Sequence, residues 1–375
     1  MNVLFAVTIA ACFVSFAITW AARRYALRRG LLDHPNERSS HELPTPRGAG
    51  IAIVVAFLAA LPVLWWKGAL ADDLFTALFG AGSWVALVGF VDDHRHVPAP
   101  LRLVAHGCAA AWVLFWLGPL PPLLVWGVAI APAWVATAAA AVYIVWLLNL
   151  YNFMDGIDGI ASIEAITVCI GGSTLYWLCF PGSTIWAASL LLIASVTGFL
   201  FWNYPPARVF MGDAGSGFLG VTLAVFAVSS VTLGQRFFWV WTILLGVFVV
   251  DATTTLLRRW RRQEPLAQAH RSHAYQYASR LRGHATVSLI VGAVNLCWLF
   301  PLALLVALGR LDGALEAAGS AICGAVSTAE TSGIWRRIRL CERGDGGGSA
   351  ENAFEVMQRT TSVAAAYFCQ LGSTT

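Results

Sequence analysis

Long apolar runs alternate with short polar segments along most of this chain. Ten of the runs are long enough to cross a bilayer, which takes about 20 apolar residues in a helix. They fall at about 3–21, 49–66, 74–91, 101–118, 132–149, 160–180, 185–202, 213–232, 237–257 and 285–308. The pattern predicts an all-α, polytopic membrane protein with ten transmembrane helices. Residues 311–331, Ala/Gly-rich and weakly apolar, offer an eleventh, poorer span. The Pro-rich stretch 119–132 is apolar but too short to span and is expected at the outer interface. The pattern divides the chain into a transmembrane domain over 1–308 and an atypical tail over 309–375, weakly apolar and then Gly-rich, expected to be flexible. No internal repeat is visible, which argues against the inverted-repeat plan of many transporters.

Composition sharpens this. Charged residues make up 12% of the 375 and hydrophobic ones 58%, whereas a soluble domain carries about 25% charge. Many of the 17 Trp lie near the ends of apolar runs, as in an interfacial belt. The eight Cys form no CxxC pair and read as small apolar residues, not as a disulfide or zinc framework.

Charge gives the orientation. The first run has no basic residue before it and Arg23, Arg24, Arg28 and Arg29 after it, the reverse of a secretory signal. It is expected to be a true span with its N-terminus outside. The inner segments are then about 22–48, 92–100, 150–159, 203–212 and 258–284. Counting the boundary residue Arg102, they hold sixteen Arg, against only Lys67 and Arg236 in the outer segments. That is the positive-inside pattern.

The polar residues of chemical interest fall on the same inner side. The stretch 149–159 spaces Asn149, Asn152, Asp155 and Asp158 three apart, so a continuing helix would carry all four on one slowly drifting stripe. Amides and carboxylates at a membrane edge are costly unless they meet a metal or a polar ligand. Asp92 and Asp93 stand side by side at the end of the third run; they suit Mg²⁺, and one could act as a general base. Asp213 opens the eighth run among Gly212, Gly215 and Gly217, at a helix start that favours anions, so Asp213 itself calls for a cation. Phe210 offers a stacking face for a base, although an interfacial aromatic is more often an anchor. Arg38, His41 and Arg47 in the first inner segment suit a phosphate. The group His270-Arg271-Ser272-His273 suits a pyrophosphate, whereas Arg258–Arg262 reads as topology and lipid binding. Taken singly, each signal carries only part of the case, and a solvated turn or an exposed helix end competes with it. Gathered from five loops onto one face, they point to metal-assisted phosphoryl transfer between a soluble anion and a lipid.

The loops resemble the polyprenyl-phosphate N-acetylhexosamine-1-phosphate transferase family. The motifs are residues 45–50 (TPRGAG), Asp92-Asp93, 149–159 (NLYNFMDGIDG), 210–216 (FMGDAGS) and 270–273 (HRSH), in the family order over about residues 1–308. The HRSHAYQ form is most similar to the WbpL-type branch. Ala49 stands where a glycine is common, and the chain after Gly309 resembles no family C-terminus. The resemblance implies transfer of a sugar 1-phosphate from a UDP-N-acetylhexosamine to undecaprenyl phosphate, releasing UMP, at the cytoplasmic face of the bacterial inner membrane. It implies Mg²⁺, or Mn²⁺ in its place, with Asp213 and Asp92 as ligands and the Asp92–Asp93 pair also serving lipid-phosphate activation. Asp155 and Asp158 would belong to the active centre. Asn149 lies in the same motif, Asn152 falls where the family holds the nucleotide, and Phe210 where it stacks on uracil. Arg47 lies in the first motif, and His270, Arg271 and His273 would contact the sugar or pyrophosphate. A homodimer is compatible with the family; a nucleic-acid partner is not expected. The HRSH form favours a 6-deoxy sugar, FucNAc or QuiNAc, for an O-antigen or similar glycan, with GlcNAc open. A transporter and an inactive envelope scaffold are the alternatives. The first would place ionisable groups near span centres and break its helices; the second would tolerate loss of the aspartates.

Overall fold

Every one of the ten apolar runs is helical. The structure is a computed structural model that describes residues 2–30, 32–33, 44–95, 97–125, 128–264 and 272–312. The helices are α1 (Asn2–Arg29), α2 (Ile51–Trp66), α3 (Asp72–His94), α4 (Ala99–Leu117), α5 (Ala133–Met154), α6 (Ile160–Cys179), α7 (Ala187–Asn203) and α8 (Asp213–Ser229). They are followed by α9 (Gln235–Leu244), α10 (Gly246–Arg261), α11 (Ala274–Arg282), α12 (His284–Val294) and α13 (Phe300–Ala307); a π-helical turn, Asn295–Leu299, joins the last two. The eleventh span and the tail predicted beyond residue 312 lie outside the described residues.

Among the described residues, seven helical segments are long and apolar enough to cross a membrane, and eight if the pair α9–α10 counts as one span. The protein is therefore an all-α, multi-pass membrane protein. The other two runs give α2 and α7, apolar but only 16 and 17 residues long. The run 237–257 is not one straight helix: α9 and α10 meet at 75°.

Helix α8 is the centre of the bundle. All of its residues from Ala214 to Val228 are buried, packed by α3, α5 and α2. Lipid provides no hydrophobic drive between helices, so close approach through small residues holds them together. A Cβ on Gly220 would stand 2.8 Å from the Leu148 Cα, and one on Gly89 2.5 Å from the Asp213 carbonyl oxygen. The glycines around Asp213 thus serve helix contact as much as ligand approach: Gly215 meets the Cα of Gly50.

Two small antiparallel ladders complete the fold. Leu32–Asp33 (β1) pairs with Thr45–Pro46 (β2). The Pro-rich stretch 119–132 contains a ladder of Leu123–Val125 (β3) and Val128–Ala131 (β4). Pairing satisfies backbone groups that a proline-rich stretch cannot satisfy as helix.

The five segments assigned to the inner side meet at one end. Ala49 donates to the Phe210 carbonyl (3.2 Å), Asp213 N–H to Asp93 (2.9 Å), Ala207 N–H to Asp158 (3.0 Å) and Tyr275 Oη to the Phe153 carbonyl (3.0 Å). Segments assigned to the outer side also meet each other, as where Thr184 reaches the Ala69 carbonyl at 3.3 Å.

Candidate active site

The site is assembled on the start of α8. Gly212 has φ +77°, and a Cβ there would lie 2.7 Å from both carboxylate oxygens of Asp93. That bare backbone lets Asp93, from the last turn of α3, accept the N–H groups of Asp213 (2.9 Å) and Ala214 (3.2 Å). The α8 N-terminus therefore already holds an anion, the Asp93 carboxylate, where the sequence invited a phosphate. Arg47 reaches over from the first inner segment, its Nη2 2.9 Å from Asp213 and its Nε 3.3 Å from Asp93. The Phe210 and Pro46 backbones are joined at 2.8 Å, so the Arg47 and Asp213 segments are stitched together.

Asp92 stands beside this pair. It accepts the Val97 N–H at 2.8 Å and an Arg102 Nη1 at 2.6 Å. The same guanidinium nitrogen is 3.7 Å from Asp213. The Asp92 and Asp213 carboxylates are within hydrogen-bond reach of one another. Three carboxylates, Asp92, Asp93 and Asp213, share two arginines, Arg47 and Arg102, and the excess of negative charge is a fit for a hard divalent cation. Mg²⁺ takes one or two carboxylates and completes its shell with water and phosphate oxygens. Among the described residues there is no cluster of three or more metal-ligating side chains, so a ready-made cage is not part of this fit.

The stripe read from 149–159 does not survive as a helix face. α5 ends at Met154, Asp155 is its C-cap, and Gly159 turns with φ +75° before α6. Two Asp-Gly steps break the helix, as their turn preference dictates. The four polar residues then diverge. Asn149 stays on the helix, bonded to the Val145 carbonyl at 2.7 Å. Asp158 is a tether: it accepts the Ala207 N–H at 3.0 Å and lies 3.2 Å from His284 Nδ1. Asn152 and Asp155 have no side-chain hydrogen-bond or ion-pair partner among the described residues. Asp155 feels Asp213, Arg47, Asp93 and Asp158 as charged neighbours; burial first, then the Asp213 charge, pushes its carboxyl up to about 7.

Loop five contributes differently from its sequence reading. His270 and Arg271 lie outside the described residues, as do Arg38 and His41. His273 is described and is 1% exposed; its Nδ1 is 3.4 Å from Asp251. Asp251 also accepts the N–H groups of Ala274 (3.0 Å) and Tyr275 (3.1 Å), capping α11. Phe210 is half-buried at the edge of the site. Sequence reasoning assigned no role to Arg102, Asp251 and Tyr275. The available signals were an arginine at the mouth of the fourth run and a lone carboxylate inside the ninth.

Fold and site together define a membrane-embedded enzyme that gathers aspartates and arginines from successive loops at one end of a helical bundle. Residues 75–231 match glycosyl transferase family 4. The chain is 30% identical over 268 residues to a probable undecaprenyl-phosphate N-acetylglucosaminyl 1-phosphate transferase of Bacillus subtilis, covering 69% of this chain and 72% of that one. It is 29% identical over 242 residues to the decaprenyl-phosphate N-acetylglucosaminephosphotransferase of Mycobacterium tuberculosis, 58% of each. A phospho-N-acetylmuramoyl-pentapeptide-transferase of Thermosynechococcus vestitus is 30% identical over 185 residues, 46% of this chain and 47% of that one. The chain belongs to the polyprenyl-phosphate N-acetylhexosamine-1-phosphate transferases of glycosyl transferase family 4.

Proposed function

We propose that the protein transfers an N-acetylhexosamine 1-phosphate from a UDP-sugar to undecaprenyl phosphate, at the cytoplasmic face of the inner membrane, as the first step of a cell-envelope glycan. The observation that carries this is Asp155, with Asn152 one turn before it: neither side chain has a hydrogen-bond or ion-pair partner among the described residues, and Asp155 lies beside a charge cluster whose other carboxylates are tied. The names of the relatives, which act on polyprenyl phosphates, support the acceptor.

In this reading an oxygen of the lipid phosphate forms a bond to the β-phosphorus of the donor. The bond from that phosphorus to the bridging α–β oxygen breaks, and UMP leaves with the oxygen and its electron pair. The lipid phosphate is already a nucleophile, so positioning and charge neutralisation carry the rate. Arg47 and Arg102 are the cationic clamps at hand. Asp213 and Asp92 would hold Mg²⁺, which when bound neutralises charge on the pyrophosphate oxygens. Asp155 and Asn152 face the donor, with Phe210 against uracil and His270 and Arg271 toward the sugar or pyrophosphate.

The bend between α9 and α10 is a feature that transporters share. The gathering of the aspartates and arginines at one end favours transfer over transport.

The test is UMP release by purified protein in detergent, with undecaprenyl phosphate, Mg²⁺ and a panel of UDP-FucNAc, UDP-QuiNAc and UDP-GlcNAc. Release that needs the lipid and is abolished by EDTA and by Asp213→Asn supports the reading, and the best donor names the sugar. A folded protein that releases no UMP with any donor overturns it.

A further inference from the structure

Tyr275 follows the HRSH group by two residues, and its side chain reaches the opposite loop. It is 5% exposed, and its Oη donates to the Phe153 carbonyl at 3.0 Å. That carbonyl is among the last of α5, where no intrahelical partner is available. A Cβ on Gly156 would overlap the same hydroxyl, so Tyr275 fills the space that the glycine leaves. Asp155 lies between these two contacts. The other end of Tyr275 is fixed as well: Asp251 on α10 accepts its N–H at 3.1 Å and that of Ala274 at 3.0 Å, while Thr255 Oγ1 supports the carboxylate at 3.1 Å. A continuous chain of contacts thus runs from α10 through Asp251 and Tyr275 to the backbone on either side of Asp155.

Asp155 needs such support. It is the C-cap of α5, with φ −83° and ψ 54°, and no side-chain partner among the described residues holds it. With no hydrogen bond or ion pair of its own, its direction depends on how firmly its backbone is held.

We propose that Tyr275, clamped by Asp251, is a positioning residue that holds the end of α5 so that Asp155 keeps its carboxylate turned to the donor. The inference rests on the transferase reading above. It gives the Tyr of the HRSHAYQ segment a task separate from sugar or pyrophosphate contact, and links loop five to loop three.

The experiment compares wild type with Tyr275→Phe, Asp251→Asn and the double variant. UMP release gives kcat and the KM of donor and lipid; thermal melting in detergent gives stability. Tyr275→Phe keeps the ring and loses one hydrogen bond. It is expected to melt with the wild type while kcat falls about tenfold, given that an ångström of misplacement can cost about a hundredfold. The KM for the lipid should not move. Asp251→Asn should lower kcat in the same way, and the double variant should be no worse than the poorer single, as for residues in one chain of contacts. If Asp251→Asn does not fold, Tyr275→Phe alone decides. An active wild type with an equally active Tyr275→Phe overturns this inference alone, as does a kcat loss that merely follows a lowered melting point or losses that multiply. An inactive, folded wild type removes the transferase reading and this inference with it.

Discussion

The Asp93 carboxylate accepts the N–H groups of Asp213 and Ala214 at 2.9 and 3.2 Å, joining the end of α3 to the start of α8. One acidic residue thereby caps a helix and fixes the neighbouring carboxylate, the proposed Mg²⁺ ligand Asp213. Asp93→Ala should cost about 1 kcal/mol of stability as a lost cap, and far more activity, at least about a hundredfold, because Asp213 moves. Asp93→Asn keeps one acceptor oxygen and should fold nearly as well while remaining impaired. Gly212→Ala should behave like Asp93→Ala, since its Cβ would stand 2.7 Å from the Asp93 oxygens at a φ of +77°. UMP release and melting curves for the three variants check this; full activity in Gly212→Ala would show that Asp93 does not need its present seat.

Arg102 bridges Asp92 at 2.6 Å and Asp213 at 3.7 Å. Without it the two carboxylates repel in a partly buried site. Arg102→Met is expected to lower activity by at least about tenfold, the order of a lost charge-assisted hydrogen bond of about 1.5–3 kcal/mol. Lysine should restore only part: one nitrogen makes both contacts, but an ammonium is more strongly hydrated than a guanidinium. Steady-state kinetics of both variants decide the matter: if lysine restores full activity, only the charge is needed.

Asp155 gives the pH dependence. Its carboxyl sits at about 7 because burial and the Asp213 charge disfavour ionisation. An unfolded aspartate titrates near about 3.9. The raised folded value means that the protonated form is favoured on folding, so this group's contribution to stability is fully present below about pH 4 and is lost as pH rises toward about 7. In EDTA the melting point should fall across that window, and less so in Asp155→Asn. Added Mg²⁺ favours the ionised site, so its binding should tighten between about pH 6 and 8. Calorimetric titration with Mg²⁺ at several pH values tests this, and pH-independent binding would contradict it.

How far the sequence reached differs from element to element. The runs that became α1, α3, α5 and α8 were legible because a bilayer demands long apolar helices. The bend at Leu245 was not, since Ile243, Leu244 and Leu245 continue the apolar run without a break and only Gly246 marks the spot. Asp92, Asp93 and Asp213 were legible as a set from their place at span ends. Their partners were harder to see: Arg102 reaches Asp92 only because α3 and α4 pack side by side. Asp158 and His273 illustrate the opposite limit. Both have the chemistry of a ligand-binding residue, yet one ties loops together and the other lies buried against Asp251, which sequence spacing cannot tell apart from exposure to a substrate.

The last prediction concerns a polar pair away from the loops. Glu164 on α6 is fully buried and accepts the Asn295 amide at 2.6 Å; that amide also reaches Thr167 Oγ1 at 2.9 Å. The Phe248 N–H, in the first turn of α10 just past the bend, is directed at the same carboxylate. Asn295 lies in the π-helical turn, so the pair joins the two irregular helices to α6. Glu164 Oε1 and Asn295 Oδ1 have no partner among the described residues. A network satisfied only in part is costly to break singly and cheap to remove whole. Glu164→Leu should destabilise by about 2 kcal/mol by leaving one N–H of the buried Asn295 amide without its acceptor. Glu164→Gln should be close to neutral, because a carboxamide oxygen still accepts. The pair Glu164→Leu with Asn295→Leu should recover much of the single loss. Melting in detergent measures all three, and a double variant as unstable as the sum of its singles would mean that the two residues are not coupled.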